Sequence, residues 1–106
     1  MSTRARVGIL LADGKVRSIT VLQDGYPSFT GQRLAKYYDT EEKVLRMMSR
    51  GTLLSIGKTI MECRVFLNGE KPEDISLTRF INPPAYIDYL YIFTAKEGWQ
   101  YMKCHE

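Results

Sequence analysis

The chain has 106 residues, 44% hydrophobic and 25% charged, with 15 basic and 12 acidic side chains giving a net charge of +3. That length suits a single domain over residues 1–106, because two halves would each bury too little apolar surface, and the composition excludes a disordered, charge-rich segment. The mild positive balance lacks the dense basic stripe of a dedicated nucleic-acid binder and names no partner.

Ala5, Val7, Ile9 and Leu11 alternate with Arg6, Gly8 and Leu10, which is a strand pattern. Ala12-Asp13-Gly14 supplies a turn, and Lys15 to Leu22 alternates again, so the two runs predict a β-hairpin. A two-residue Asp13-Gly14 loop would set Ile9 opposite Ser18. A three-residue loop with Gly14 in the left-handed region instead sets Val7 opposite Ile19 and Ala5 opposite Val21. The second pairs apolar with apolar and is the expected register, since a one-residue slip sends a whole apolar set to the wrong face.

Gln23 to Ser28 is dense in turn formers, and Pro27 pushes Tyr26 toward extended geometry. Leu34, Tyr37 and Tyr38 then fall at helical spacing, predicting a short helix that starts near Ser28 or Thr30. Asp39 followed by Glu42 reads as an N-cap with its carboxylate partner. Val44, Leu45 and Met48 form the apolar stripe of a second helix that stops before Gly51.

Thr59, Met61, Cys63, Val65 and Leu67 alternate with Ile60, Glu62, Arg64 and Phe66, predicting a strand stopped by Asn68-Gly69. Glu70 to Asp74 reads as a surface loop, Ile75 to Ile81 as a short strand or irregular cover, and Asn82-Pro83-Pro84 as a break. Tyr86 to Thr94, the turn Ala95-Lys96-Glu97-Gly98, and Trp99 to Cys104 predict a closing hairpin. The expected fold is α+β: a largely antiparallel sheet from terminal hairpins, with two central helices packed on one face.

No apolar run approaches the roughly 18 to 20 residues that cross a bilayer, and Val7 to Leu11 is too short for a signal-peptide core. A cytoplasmic protein with no membrane partner is expected, and Cys63 and Cys104 are expected to be reduced thiols. The single histidine, His105, adjoins Cys104. Neighbours in a strand point to opposite faces, and a structural zinc site needs four ligands, so no metal site is expected. There is no phosphate loop and no dinucleotide fingerprint. Glu41-Glu42 and Glu73-Asp74 are adjacent in sequence and read as solvated charge. A non-enzymatic protein without catalytic residues or cofactors is expected.

Seven tyrosines, four phenylalanines and one tryptophan carry more information, above all Tyr86, Tyr89, Tyr91, Phe93, Trp99 and Tyr101 on the last two strands. Such a ladder serves as core, as a protein-binding hot spot or as a stacking platform for bases. Arg4 and Arg6 fall on one side of the first hairpin, Lys15 and Arg17 on the other, a scatter that reads as solubility and edge protection.

Met1-Ser2-Thr3-Arg4, the Asp13-Gly14 turn, Asp24-Gly25-Tyr26-Pro27 followed by Gly31, Glu41-Glu42-Lys43-Val44, Gly51 and Ser55-Ile56-Gly57 together resemble a group of small bacteriophage and prophage proteins of unknown function. The resemblance covers roughly the first 57 residues. It departs at Leu22-Gln23, where the group carries His-Trp. It implies a viral or prophage origin and makes an accessory or host-directed role the expectation, and it carries no known activity to transfer. The leading expectation is a non-enzymatic accessory protein that binds a host or viral protein. The contact surface would join Asp24, Gly25, Tyr26 and Pro27 to Tyr91, Trp99 and Tyr101, although Asp, Gly and Pro also suit a loop that only reverses the chain. Single-stranded nucleic acid is the second expected partner, and a small molecule held between sheet and helices the third. Self-association stays open.

Overall fold

A computed structural model describes residues 2–105. The first hairpin forms in the expected register: β1 (Ala5–Leu10) pairs antiparallel with β2 (Val16–Val21), placing Val7 opposite Ile19 and Ala5 opposite Val21. Gly14 adopts φ +88°, and the Gly14 amide donates to the Leu11 carbonyl while the Leu11 amide donates to Lys15. That left-handed residue closes a three-residue loop without the steric cost a Cβ would bring.

The helical segment begins at Pro27, one residue before the expected Ser28 start, and becomes regular α-helix only at Gln32. Pro27–Gly31 is a π-type turn with proline at its first position, where a missing N–H costs nothing, and it runs into α1 (Gln32–Tyr37). α2 (Glu41–Met48) is capped by Thr40, whose hydroxyl accepts from the Lys43 amide at 3.2 Å. Asp39 is not the cap; its carboxylate instead accepts from Lys43 Nζ at 3.1 Å, one turn along. Val44, Met47 and Met48 are buried, and Leu45 is half-buried.

The middle of the chain departs most from expectation. β3 (Leu53–Ser55) has only three residues and shows no alternation to read. The strand expected over Thr59 to Leu67 is mostly not one. Thr59 caps a 3-10 turn at Ile60–Glu62, its hydroxyl accepting from the Glu62 amide and donating to the Glu62 carboxylate, leaving β4 as Arg64–Val65 alone. Part of the expected loop is β5 (Glu73–Ile75), and Ser76 then caps a five-residue helix, α3 (Leu77–Ile81), through the Arg79 amide. Asn82-Pro83-Pro84 lies outside any helix or strand. The closing hairpin forms from β6 (Tyr89–Thr94) and β7 (Gly98–Lys103), with Tyr91 opposite Tyr101 and Phe93 opposite Trp99.

The seven strands make one mixed sheet in the order β4-β3-β2-β1-β6-β7, with β5 pairing the free part of β2. The expectation of a largely antiparallel sheet is therefore corrected: β1 runs parallel to β6, and β2 parallel to β3. The long central excursion returns the chain beside β1 rather than at an outer edge, which aligns the two terminal hairpins through their first strands. Arg6 thus sits on a strand flanked on both sides and protects no edge.

Two core clusters form. Ala5, Val7 and Ile9 of β1, Ile19 and Val21 of β2, and Tyr91 and Phe93 of β6 share one with Leu34, Tyr38, Val44, Met47 and Met48 of the helical segments. The smaller cluster joins Val16, Ile75, Phe80, Ile87 and Leu90. Alternation along the strands assigns them to opposite faces of the sheet. Gly8 belongs to the second face, where a Cβ would lie 2.5 Å from the Phe80 ring and from Val16, so only glycine lets Phe80 lie down on the strand.

Candidate functional site

The predicted contact residues are brought together, but mostly by bonds within the protein. The Gly25 amide donates to the Thr3 carbonyl at 2.9 Å, and the Gly25 carbonyl accepts from Tyr91 Oη at 2.7 Å. Asp24 has φ +56°, and its carbonyl accepts from the buried Thr30 hydroxyl at 2.6 Å. Pro27 starts the helical segment. The loop is thus sewn to the start of β1 and to β6, which is the work its turn formers also suggest.

Tyr91 is buried, and burial pushes its phenol well above the ordinary tyrosine range, with Tyr89 and Tyr101 adding to the shift. Trp99 is half-buried and donates from Nε1 to the Tyr38 carbonyl at 2.7 Å, tying β7 to the end of α1. Its ring meets Phe93 edge-on at 5.4 Å. These two side chains belong to the fold's interior contacts. Of the predicted contact residues, Tyr26, 37% exposed, and Tyr101, 62% exposed, are the two that offer large rings to solvent.

Tyr101 marks a feature that residue patterns could not reveal, namely an open strand edge. β7 ends the strand order, and its outer side has no neighbour among the described residues. The Cys104 amide donates to the Asp88 carbonyl at 2.9 Å, continuing the ladder onto β6. By the alternation of an antiparallel ladder, the N–H and C=O groups of Gly98, Gln100 and Met102 turn inward, and those of Trp99, Tyr101 and Lys103 point outward. Exposed apolar side chains flank this edge: Tyr101 on the helix-covered face, Met102 on the other. Beside Met102, Ile81 of α3 is 48% exposed. Together with Phe80, Leu90 and Ile92 they line a groove of about 280 Å³.

On the β2 and β5 side of that same face lies a polar cleft of about 230 Å³. Arg6, Ser18 and Thr20 form its floor, Thr20 standing directly across from Arg6. Arg6 Nη1 donates to the Arg79 carbonyl at 3.1 Å and the Phe80 carbonyl at 3.4 Å, satisfying the end of α3. Burial lowers the basicity of this guanidinium, Tyr86 raises it, Arg79 lowers it, and Glu73 and Cys104 raise it slightly; it remains a cation at neutral pH. Among the described residues four ion pairs form, and Arg6 belongs to none of them.

Several other basic residues are engaged. Arg17 pairs with Asp74 at 2.8 Å and Arg79 with Glu73 at 2.9 Å, while Arg33 donates to the Ile56 carbonyl and lies over the Phe29 ring. Cys63 and Cys104 are unpaired and sit in different core clusters. Cys63 Sγ lies 3.3 Å from Tyr38 Oη and accepts from the Gly57 amide, whereas burial raises the Cys104 thiol's pKa. His105 lies 2.9 Å from the Ala85 carbonyl. Among the described residues no cluster of metal ligands forms, and no helix is long and apolar enough to cross a membrane. Comparison with protein-family models, with curated proteins and with solved structures finds no match for this chain.

Proposed function

We propose that the protein is a non-enzymatic accessory protein that works by binding another protein, whose extended segment adds a strand to the open edge of β7. The observation that carries this reading is the outward row of backbone groups at Trp99, Tyr101 and Lys103 between exposed Tyr101 and Met102. Unpaired edges recruit strands: main-chain hydrogen bonds give affinity, and side-chain pockets give specificity. Here the groove beside Met102 and Ile81 would take an apolar side chain of the incoming segment. Tyr26 and the Asp24 loop lie on the helix-covered side, near Tyr91, and would widen the contact. The resemblance to phage and prophage proteins supports a host or viral partner in the bacterial cytoplasm.

Proline substitution tests the edge selectively. At Tyr101 a proline removes only an outward N–H, and a proline at Gln100 removes one that the β6 ladder uses. Immobilised wild-type protein is expected to retain one reproducible host protein from lysate, Tyr101→Pro to lose it, and Tyr101→Ala to weaken it. Retention unchanged by Tyr101→Pro refutes strand addition. Recovery abolished by nuclease would favour the nucleic-acid reading instead, for which binding to oligonucleotides no tighter than about 10 μM at physiological salt is expected, because a net charge of +3 spread over both faces offers few phosphate contacts.

A further inference from the structure

We propose that the cleft floored by Arg6, Ser18 and Thr20 is a binding site for a small phosphate monoester, independent of the β7 edge. A cation projecting from a central strand is an unusual choice, since burial disfavours its charge and every other side chain of β1 on that face is Gly8 or Leu10. Capping the carbonyls of Arg79 and Phe80 occupies Nη1 alone, leaving the Nε and Nη2 donors, and no carboxylate pairs with the group among the described residues.

The charges around it favour an anion. Arg6, Arg79 and Lys71 line the cleft with Glu70 and Glu73, so its cations outnumber its carboxylates three to two; Glu73 is ion-paired with Arg79 and its field also reaches Arg6. The Ser18 and Thr20 hydroxyls add donors on the floor. A guanidinium fork with two flanking hydroxyls supplies more donors, in more directions, than the two coplanar oxygens of a carboxylate can use. The three terminal oxygens of a phosphate monoester fit them better. A cleft of about 230 Å³ holds a phosphate group and a small organic substituent, with Tyr86 at the wall to contact that substituent.

The test is an amide-resolved NMR titration with phenyl phosphate, and in parallel with inorganic phosphate and with acetate, at constant ionic strength. Phenyl phosphate is expected to give saturable shifts centred on Arg6, Ser18, Thr20 and Arg79, inorganic phosphate weaker ones at the same amides, and acetate none that saturate. Arg6→Gln should weaken phenyl phosphate at least tenfold. Because Arg6 also caps α3, Thr20→Val serves as a second variant that leaves the guanidinium in place, with a several-fold loss expected. Arg46→Gln, on the exposed side of α2, should change nothing. Shifts that never saturate, acetate binding as strong as phosphate, or equal weakening by Arg46→Gln would overturn the site. Tyr101→Pro should bind phenyl phosphate like wild type, so failure here and failure of strand addition are separate results.

Discussion

The two faces of the sheet are built to different standards of closure. On one, Val7, Ile19 and Tyr91 lie in the same buried cluster as side chains from α1 and α2, and even the polar atoms there are used inside, as Tyr91 Oη and Trp99 Nε1 show. On the other, the five-residue α3 contributes Phe80 to a five-residue cluster. That helix is too short to cover seven strands, and a polar cleft opens to one side of it and an apolar groove to the other. The larger buried core lies on the first face, and the second is the less completely covered of the two.

The sharpest contrast should come from two methionines. Met47→Ala on the closed face leaves a cavity and is expected to cost about 2–5 kcal/mol in denaturant unfolding. Met102→Ser, at a side chain 55% exposed on the open face, should stay within about 0.5 kcal/mol of wild type. Similar losses at both positions would remove the distinction between the faces.

Tyr91→Phe comes next. It strands the Gly25 carbonyl without its donor, at an expected cost of about 1–3 kcal/mol. The same phenol makes an alkaline prediction. Its folded pKa is raised by burial, so its contribution is complete below the ordinary tyrosine value of about 10 and is lost as pH rises beyond it. Tyr38, whose phenol burial and Cys63 also hold above the ordinary range, behaves likewise. Ultraviolet phenol titration should therefore show these two of the seven tyrosines ionising only with unfolding. Early ionisation of all seven would mean that the helix-covered face is looser than described.

The smallest effect belongs to the surface pair Arg17 and Asp74. The hydrogen bond from Arg17 lowers the Asp74 pKa, so its contribution is present above about pH 3.9 and fades as pH falls through the lower folded value. Both side chains are 39% exposed and screened by solvent, which limits the pair to roughly 0.2–1 kcal/mol. Asp74→Asn should flatten the acid limb of the stability curve slightly, and salt should do the same to wild type.

Much of the first and last quarters of the chain was legible because alternation and Asp-Gly or Glu-Gly turns mark hairpins strongly. The middle was not. β3, β4 and β5 are too short to show a period, and the Thr59 to Glu62 cap lay inside a run that alternates by coincidence. Period-two patterning also says which face a residue takes and never which strand lies alongside, so the parallel pairing of β1 with β6 was out of reach. The candidate sites followed the same limit. Asp24, Tyr91 and Trp99 were conspicuous residues whose internal bonds only coordinates reveal. Arg6 stands in the sequence as a cation between the apolar Ala5 and Val7, and strand alternation alone does not distinguish it from scattered surface charge.

Hydrogen exchange along β7 tests the open edge most directly. In the isolated protein the amides of Gln100 and Met102 should be protected by the β6 ladder, and those of Trp99, Tyr101 and Lys103 should exchange fast at every protein concentration. Protection of all five amides in the free protein would contradict the account: if it rose with concentration a second copy would already hold the edge, and if it did not the edge would be closed from within.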